Sequence, residues 1–133
     1  MPDNHLFEYA VIRIVPRVER EEFLNVGVIL YCKDQQFLQT TYTIDEDRLQ
    51  AFAGYLDLDV LKEHLCGFEK ISKGDTTAGT IAGLEPGLRF RWLTAARSTI
   101  VQTSKVHPGL CTDAAGTLAQ LHSQLVLSPL ENK

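Results

Sequence analysis

The chain has 133 residues, 44% hydrophobic and 23% charged, with a formal net charge of −4; that length holds one core of two packed layers and not two, and the composition excludes a disordered chain. The longest apolar runs, such as residues 26–32, fall far short of the roughly 20 residues a membrane span requires. The N-terminus shows no basic stretch leading into an apolar one, so the expectation is a soluble, cytoplasmic protein with no secretory signal and no membrane partner.

Residues 7–15, Phe-Glu-Tyr-Ala-Val-Ile-Arg-Ile-Val, are rich in β-branched and aromatic side chains and stop at Pro16, which predicts a strand. Both alternating faces are largely apolar, so this strand belongs in the middle of a sheet. A charged connection over 16–24 leads to a second strand, Asn25 to Cys32. The polar turn at 33–36 and a third strand, Phe37 to Ile44, complete an antiparallel hairpin. Asp45 is placed to cap a helix carrying Leu49, Phe52, Ala53 and Leu56 at helical spacing. Asp57-Leu-Asp59 marks a break, after which Leu61, Leu65 and Phe68 share one face of a second helix ending near Lys70. The Gly/Thr-rich segment 74–87, with Pro86, predicts a flexible loop. Residues 88–96 have a helical pattern, and the β-branched segment 99–104 predicts a fourth strand. After His107-Pro108-Gly109, Thr112 caps a last helix with Ala114, Leu118, Leu121 and Leu125 buried, closed by Pro129. Strands followed mainly by helices predict an α+β fold, an antiparallel sheet of three to four strands with helices packed on it, in a single domain over 1–133.

Three blocks stand out along this pattern. Tyr9-Ala-Val-Ile-Arg-Ile-Val-Pro16 is an early strand of the Y-x-x-x-R-x-x-P type; Arg20-Glu-Glu-Phe-Leu-Asn-Val-Gly-Val-Ile-Leu30 contains R-x-E-F-x-N-x-G-V; and Arg97-Ser-Thr-Ile-Val-Gln-Thr-Ser104 is a late serine-led segment before the last helix. In this order and spacing they resemble a bacterial family known only as domain of unknown function 3037, over nearly the whole chain, with the second block the specific one. The resemblance brings no activity with it. It implies one partner, a HipA-like serine/threonine kinase.

The same blocks supply the candidate site residues. Arg13 interrupts an apolar strand, and a buried guanidinium is costly unless it meets a carboxylate or a bound anion. Glu8, Glu22 or another acid of the 19–22 cluster could serve as a structural partner, and a ligand site is the alternative. Asn25 and Gly27 stand where the charged connection enters the second strand; Asn ties down turns and Gly allows a bulge or a close approach. Arg97 and Ser98 combine a charge, a hydroxyl and nearby amides able to hold a phosphate or carboxylate, or else Ser98 turns the chain and Arg97 is solvated. With Arg20 and Glu22 these form one candidate binding set: Arg13, Arg20, Glu22, Asn25, Gly27, Arg97 and Ser98.

Charge is unevenly spread, with 8 basic and 15 acidic residues over 1–85 but four basic and no acidic residues over 86–112. That suits an acidic partner or a small anionic ligand, whereas a globally acidic domain makes nucleic acid an improbable partner. Phe90-Arg91-Trp92 interleaves bases and aromatics, a pattern that serves single-stranded nucleic acid but is also that of an amphipathic helix with its aromatics in the core. Cys32, Cys66 and Cys111 are widely spaced, and the four histidines lack metal-ligand spacing, so the expectation is free structural thiols and no metal. No phosphate-binding loop, nucleophile elbow or cofactor fingerprint occurs. The leading expectation is a small binding or regulatory protein acting through a protein partner. The runner-up is an enzyme or sensor of a phosphorylated small molecule with an arginine-lined pocket.

Overall fold

The structure, a computed structural model, describes residues 4–97 and 99–127. Its axis is β1 (His5–Ile14), whose two apolar faces demand cover on both sides. The hairpin β2 (Leu24–Cys32) and β3 (Phe37–Tyr42) lies antiparallel along one edge of β1, with Tyr31 opposite Glu8 and Leu24 opposite Ile14. Two short strands share the other edge end to end. β4 (Val101–Thr103) faces Ile12–Ile14, and β5 (His107–Cys111) faces His5–Tyr9, both antiparallel. Ser104 fills the gap between them: the Val11 amide donates to its hydroxyl at 2.8 Å, and its own amide donates to the Val11 carbonyl at 2.8 Å.

The result is an α+β fold with a five-stranded antiparallel sheet among the described residues, ordered β3-β2-β1-β4 with β5 also on β1. β5 is the element that local sequence signals do not reveal. Pro108 lacks an amide and Gly109 lacks a side chain, which normally punctuate a chain. Here the proline sits on an outer strand, and the glycine leaves room for the Phe7 ring, which an added Cβ would meet at 2.5 Å.

Helix α1 (Glu46–Ala53) begins at Asp45, whose carboxylate accepts the Arg48 amide at 3.1 Å. Helix α2 (Leu58–Lys73) begins at Asp57, which accepts the amides of Asp59 and Val60, and runs one turn beyond the expected Lys70. It stops at Gly74, held at φ +77°, where the Gly74 and Asp75 amides return to Ile71 and Lys70 carbonyls. The 74–87 segment contains two single turns of 3-10 helix, Thr76–Ala78 and Thr80–Gly83. Helix α3 (Pro86–Leu93) starts on its proline, two residues before the expected Leu88, because proline is favoured in a first helical turn. Helix α4 (Ala114–Leu125) follows Asp113 rather than Thr112. Its cap comes from elsewhere: Gln35, in the β2–β3 turn, accepts the Ala114 amide at 2.8 Å and donates to the Thr112 carbonyl at 2.8 Å.

The sheet is covered on both faces. Helices α1, α2 and α3 place Leu49, Leu65, Phe90 and Leu93 on Ile12, Ile14 and Ile29. On the opposite face α4 sets Ala114 and Leu118 against Phe7, Val28 and Leu30. Each fully buried side chain of this size contributes roughly 1.5–3 kcal/mol relative to exposure. No helix among the described residues is long and apolar enough to cross a membrane.

Candidate functional site

The connection between β1 and β2 gathers more of the sequence candidates than any other region. Pro16 ends β1, and a 3-10 turn, Val18–Arg20, closes on Glu21 in the left-handed region at φ 56°. The turn brings the charged residues of 17–22 to the surface as neighbouring ion pairs, Arg17 to Glu19 at 3.0 Å and Arg20 to Glu22 at 2.6 Å. The Arg20 hydrogen bond holds the Glu22 carboxyl below its usual range, and Glu22 in turn raises the Arg20 guanidinium. Both pairs are exposed, so each contributes little to stability. Arg17, Arg20 and Glu22 border a cavity of about 330 Å³ completed by Pro16, Phe52 and Tyr55, the two aromatics coming from the end of α1 and the turn after it. Val18, Phe23 and Tyr55, three large apolar side chains of this region, are 51%, 46% and 69% exposed.

Arg13 lies beside this surface without the carboxylate that a half-buried guanidinium would be expected to have. Glu8 is taken by Arg91, in a two-point contact at 2.6 and 3.0 Å, and Glu22 by Arg20. Instead the Arg13 guanidinium stacks on Phe23, 3.8 Å from the ring centroid, and its Nε is buried with no hydrogen-bond partner. Burial pushes its pKa down. The expected structural ion pair is therefore absent among the described residues.

Asn25 and Gly27 belong to a β-bulge. Ile12 faces Gly27 while Arg13 faces Asn25, leaving Val26 as the extra residue. The bulge points Asn25 at the end of α4, where its amide donates to the Leu125 carbonyl at 3.1 Å, while its Oδ1 is buried without a partner. Gly27 is required sterically, since a Cβ there would lie 2.7 Å from the Thr41 carbonyl oxygen.

Arg97 is in another place. It stacks on Trp92 at 4.3 Å and donates to the carbonyls of Leu93 and Trp92 at the end of α3, bordering a groove between α2 and α3. Arg20 and Arg97 thus line different cavities, and Arg13 lines neither. Ser98 lies outside the described residues. The bases of helix α3 already have partners: Arg91 holds Glu8 at the surface, Arg89 donates to the carbonyls of Leu84 and Ser72, and Phe90 between them is fully buried.

Several residues with interesting environments carried no sequence signal. Phe52 reads as a core position of α1, yet it borders the cavity beside Tyr55. His122 in α4 meets the Thr43 hydroxyl at 2.8 Å, across 79 residues of chain. Cys32 and Cys111 are buried free thiols on the α4 side of the sheet, and burial, followed by the neighbouring Cys32, pushes the Cys111 thiol up. No group of three or more His, Cys, Asp or Glu able to hold a metal ion occurs among the described residues.

A family model described as "Protein of unknown function (DUF3037)" matches residues 9–126, which include all seven candidate site residues. No curated protein and no solved structure matches the chain.

Proposed function

The chain belongs to the DUF3037 family, and from that premise we propose that it is a small binding or regulatory module acting through a protein partner, docked on the β1–β2 connection. The observation that carries this reading is the surface of the β1–β2 connection, where Arg17, Arg20 and the exposed Tyr55 border the 330 Å³ cavity and the nearby chain exposes Val18 and Phe23, the latter stacked on Arg13. Aromatic and arginine side chains are the types that dominate protein interfaces energetically, because they bury large areas with few rotatable bonds and can still hydrogen-bond. The paired glutamates leave the patch nearly neutral, which suits a protein surface better than a polyanion.

The partner to test is a HipA-like serine/threonine kinase, the one the family resemblance implies. Tyr55→Ala and Arg20→Ala alter exposed side chains and leave the core intact. Calorimetric titration against the purified kinase is expected to show micromolar or tighter binding, weakened about 10-fold or more by each variant. Separate elution of the two wild-type proteins at micromolar concentration, with kinase autophosphorylation unchanged, would remove the kinase as partner.

A small anionic ligand is favoured by one observation, the half-buried Arg13, whose Nε has no hydrogen-bond partner and which meets no carboxylate among the described residues. Arg91 is already paired with Glu8, which leaves helix α3 less free positive charge to offer a nucleic acid.

A further inference from the structure

The groove between α2 and α3 is separate from the surface just described and shares no residue with it. Its volume is about 510 Å³, within the range of sites that enclose a single small ligand. One wall is a face of α2 running from Val60 through His64, Gly67 and Phe68 to Ile71, twelve residues that span about 16 Å of helix. Trp92 and Leu93 form the other. The floor is open at Gly67, where an added Cβ would meet nothing within 4 Å. A glycine inside a helix weakens it, and this one leaves space in the groove in place of a side chain.

The charge at the groove is placed and held. Arg97 and His64 border both the groove and a small adjoining crevice with Gln102 and Thr103, so they mark the end where the two meet; Glu63 borders only the groove. Arg97 is fixed by the Trp92 ring and by two carbonyls at the end of α3. A guanidinium has five N–H donors, and these contacts use two. Among the described residues no carboxylate pairs with it.

We propose that this groove binds a small apolar carboxylate, its hydrocarbon body along Val60, Phe68, Ile71 and Trp92 and its acid group on Arg97. The preformed cation supplies the counter-charge, and the apolar walls select a ligand with an extended or aromatic body over a phosphorylated metabolite. The site goes beyond the partner-binding reading and uses none of its residues.

Trp92 is the sole tryptophan, and at 42% exposure beside Arg97 it reports directly on the groove. Decanoate titrated into the intact protein is expected to change tryptophan emission saturably. Its affinity should exceed that of 1-decanol by about 10-fold or more, the margin of a charge-assisted contact. Gly67→Leu, whose Cβ meets nothing within 4 Å and whose side chain extends into the groove, is expected to keep or raise the melting temperature while abolishing the response. In Arg97→Gln, isothermal titration should show decanoate reduced to the affinity of decanol. Equal affinity of the acid and the alcohol for the wild type, unaltered binding by a folded Gly67→Leu, or no response to millimolar decanoate would overturn the proposal.

Discussion

The environment of His122, in α4, changes its proton affinity. Its Nε2 lies 2.8 Å from the Thr43 hydroxyl, while its Nδ1 is buried with no hydrogen-bond partner. Burial disfavours the charged ring and lowers the pKa below the ordinary 6.5. Below that value the unfolded chain takes up the proton more readily than the folded one, so His122 contributes stability above it and loses that contribution as pH falls through the folded pKa. Between about pH 7.5 and about pH 5.5 the wild type should lose more unfolding free energy than His122→Gln, measured by urea denaturation. Parallel pH curves would show that the ring titrates as in the unfolded chain. At this scale the sequence marked Arg13 as needing a carboxylate or a bound anion, but of the acids it offered Glu8 is held by Arg91, Glu22 by Arg20 and Glu19 by Arg17. Competition among arginines is settled by distance in space, which one strand's pattern does not contain.

The bulge at the start of β2 shows how an element depends on one residue. Gly27 stands opposite Ile12 against the β3 backbone, and a Cβ there would fall 2.7 Å from the Thr41 oxygen and 2.8 Å from the Tyr42 Cβ. Gly27→Ala is therefore expected to cost about 1–3 kcal/mol, as overpacking does, read as a lower denaturation midpoint. An unchanged midpoint would mean that the hairpin can spread at this point. Capping was legible in sequence where it is local: Asp45 lies three residues before the amide it caps, and Asp57 acts over a similar span. The cap of α4 was not, because Gln35 reaches Ala114 across 79 residues. Helix α3 was recognisable from its spacing, whereas β5 was hidden by Pro108 and Gly109, whose backbone preferences are overridden by the Phe7 ring and the outer edge of β1.

For the whole molecule, stability rests on one sheet buried from both sides. Leu65, fully buried in the α1–α3 core, holds α2 to the sheet. Leu65→Ala is expected to destabilise the fold by roughly 2–5 kcal/mol, through lost burial and the cavity left behind, in a single transition followed by circular dichroism. A cost below about 1 kcal/mol would indicate that α2 repacks freely. The same helix lines the apolar groove with its next face, so the core and the groove share a wall.

The sequence by itself determined the central strand, the hairpin, three of the four helices near their observed limits, the α+β class and the family, because periodicity, caps and breakers act over a few residues. Only the tertiary structure decided that β4 and β5 divide one edge of β1, that Arg20 and Arg97 line different cavities, and that Tyr55 and Phe52 join Arg17 at the surface. Those facts depend on which distant segments pack together, and packing is fixed by the shape and burial of the whole chain rather than by any local run of residues.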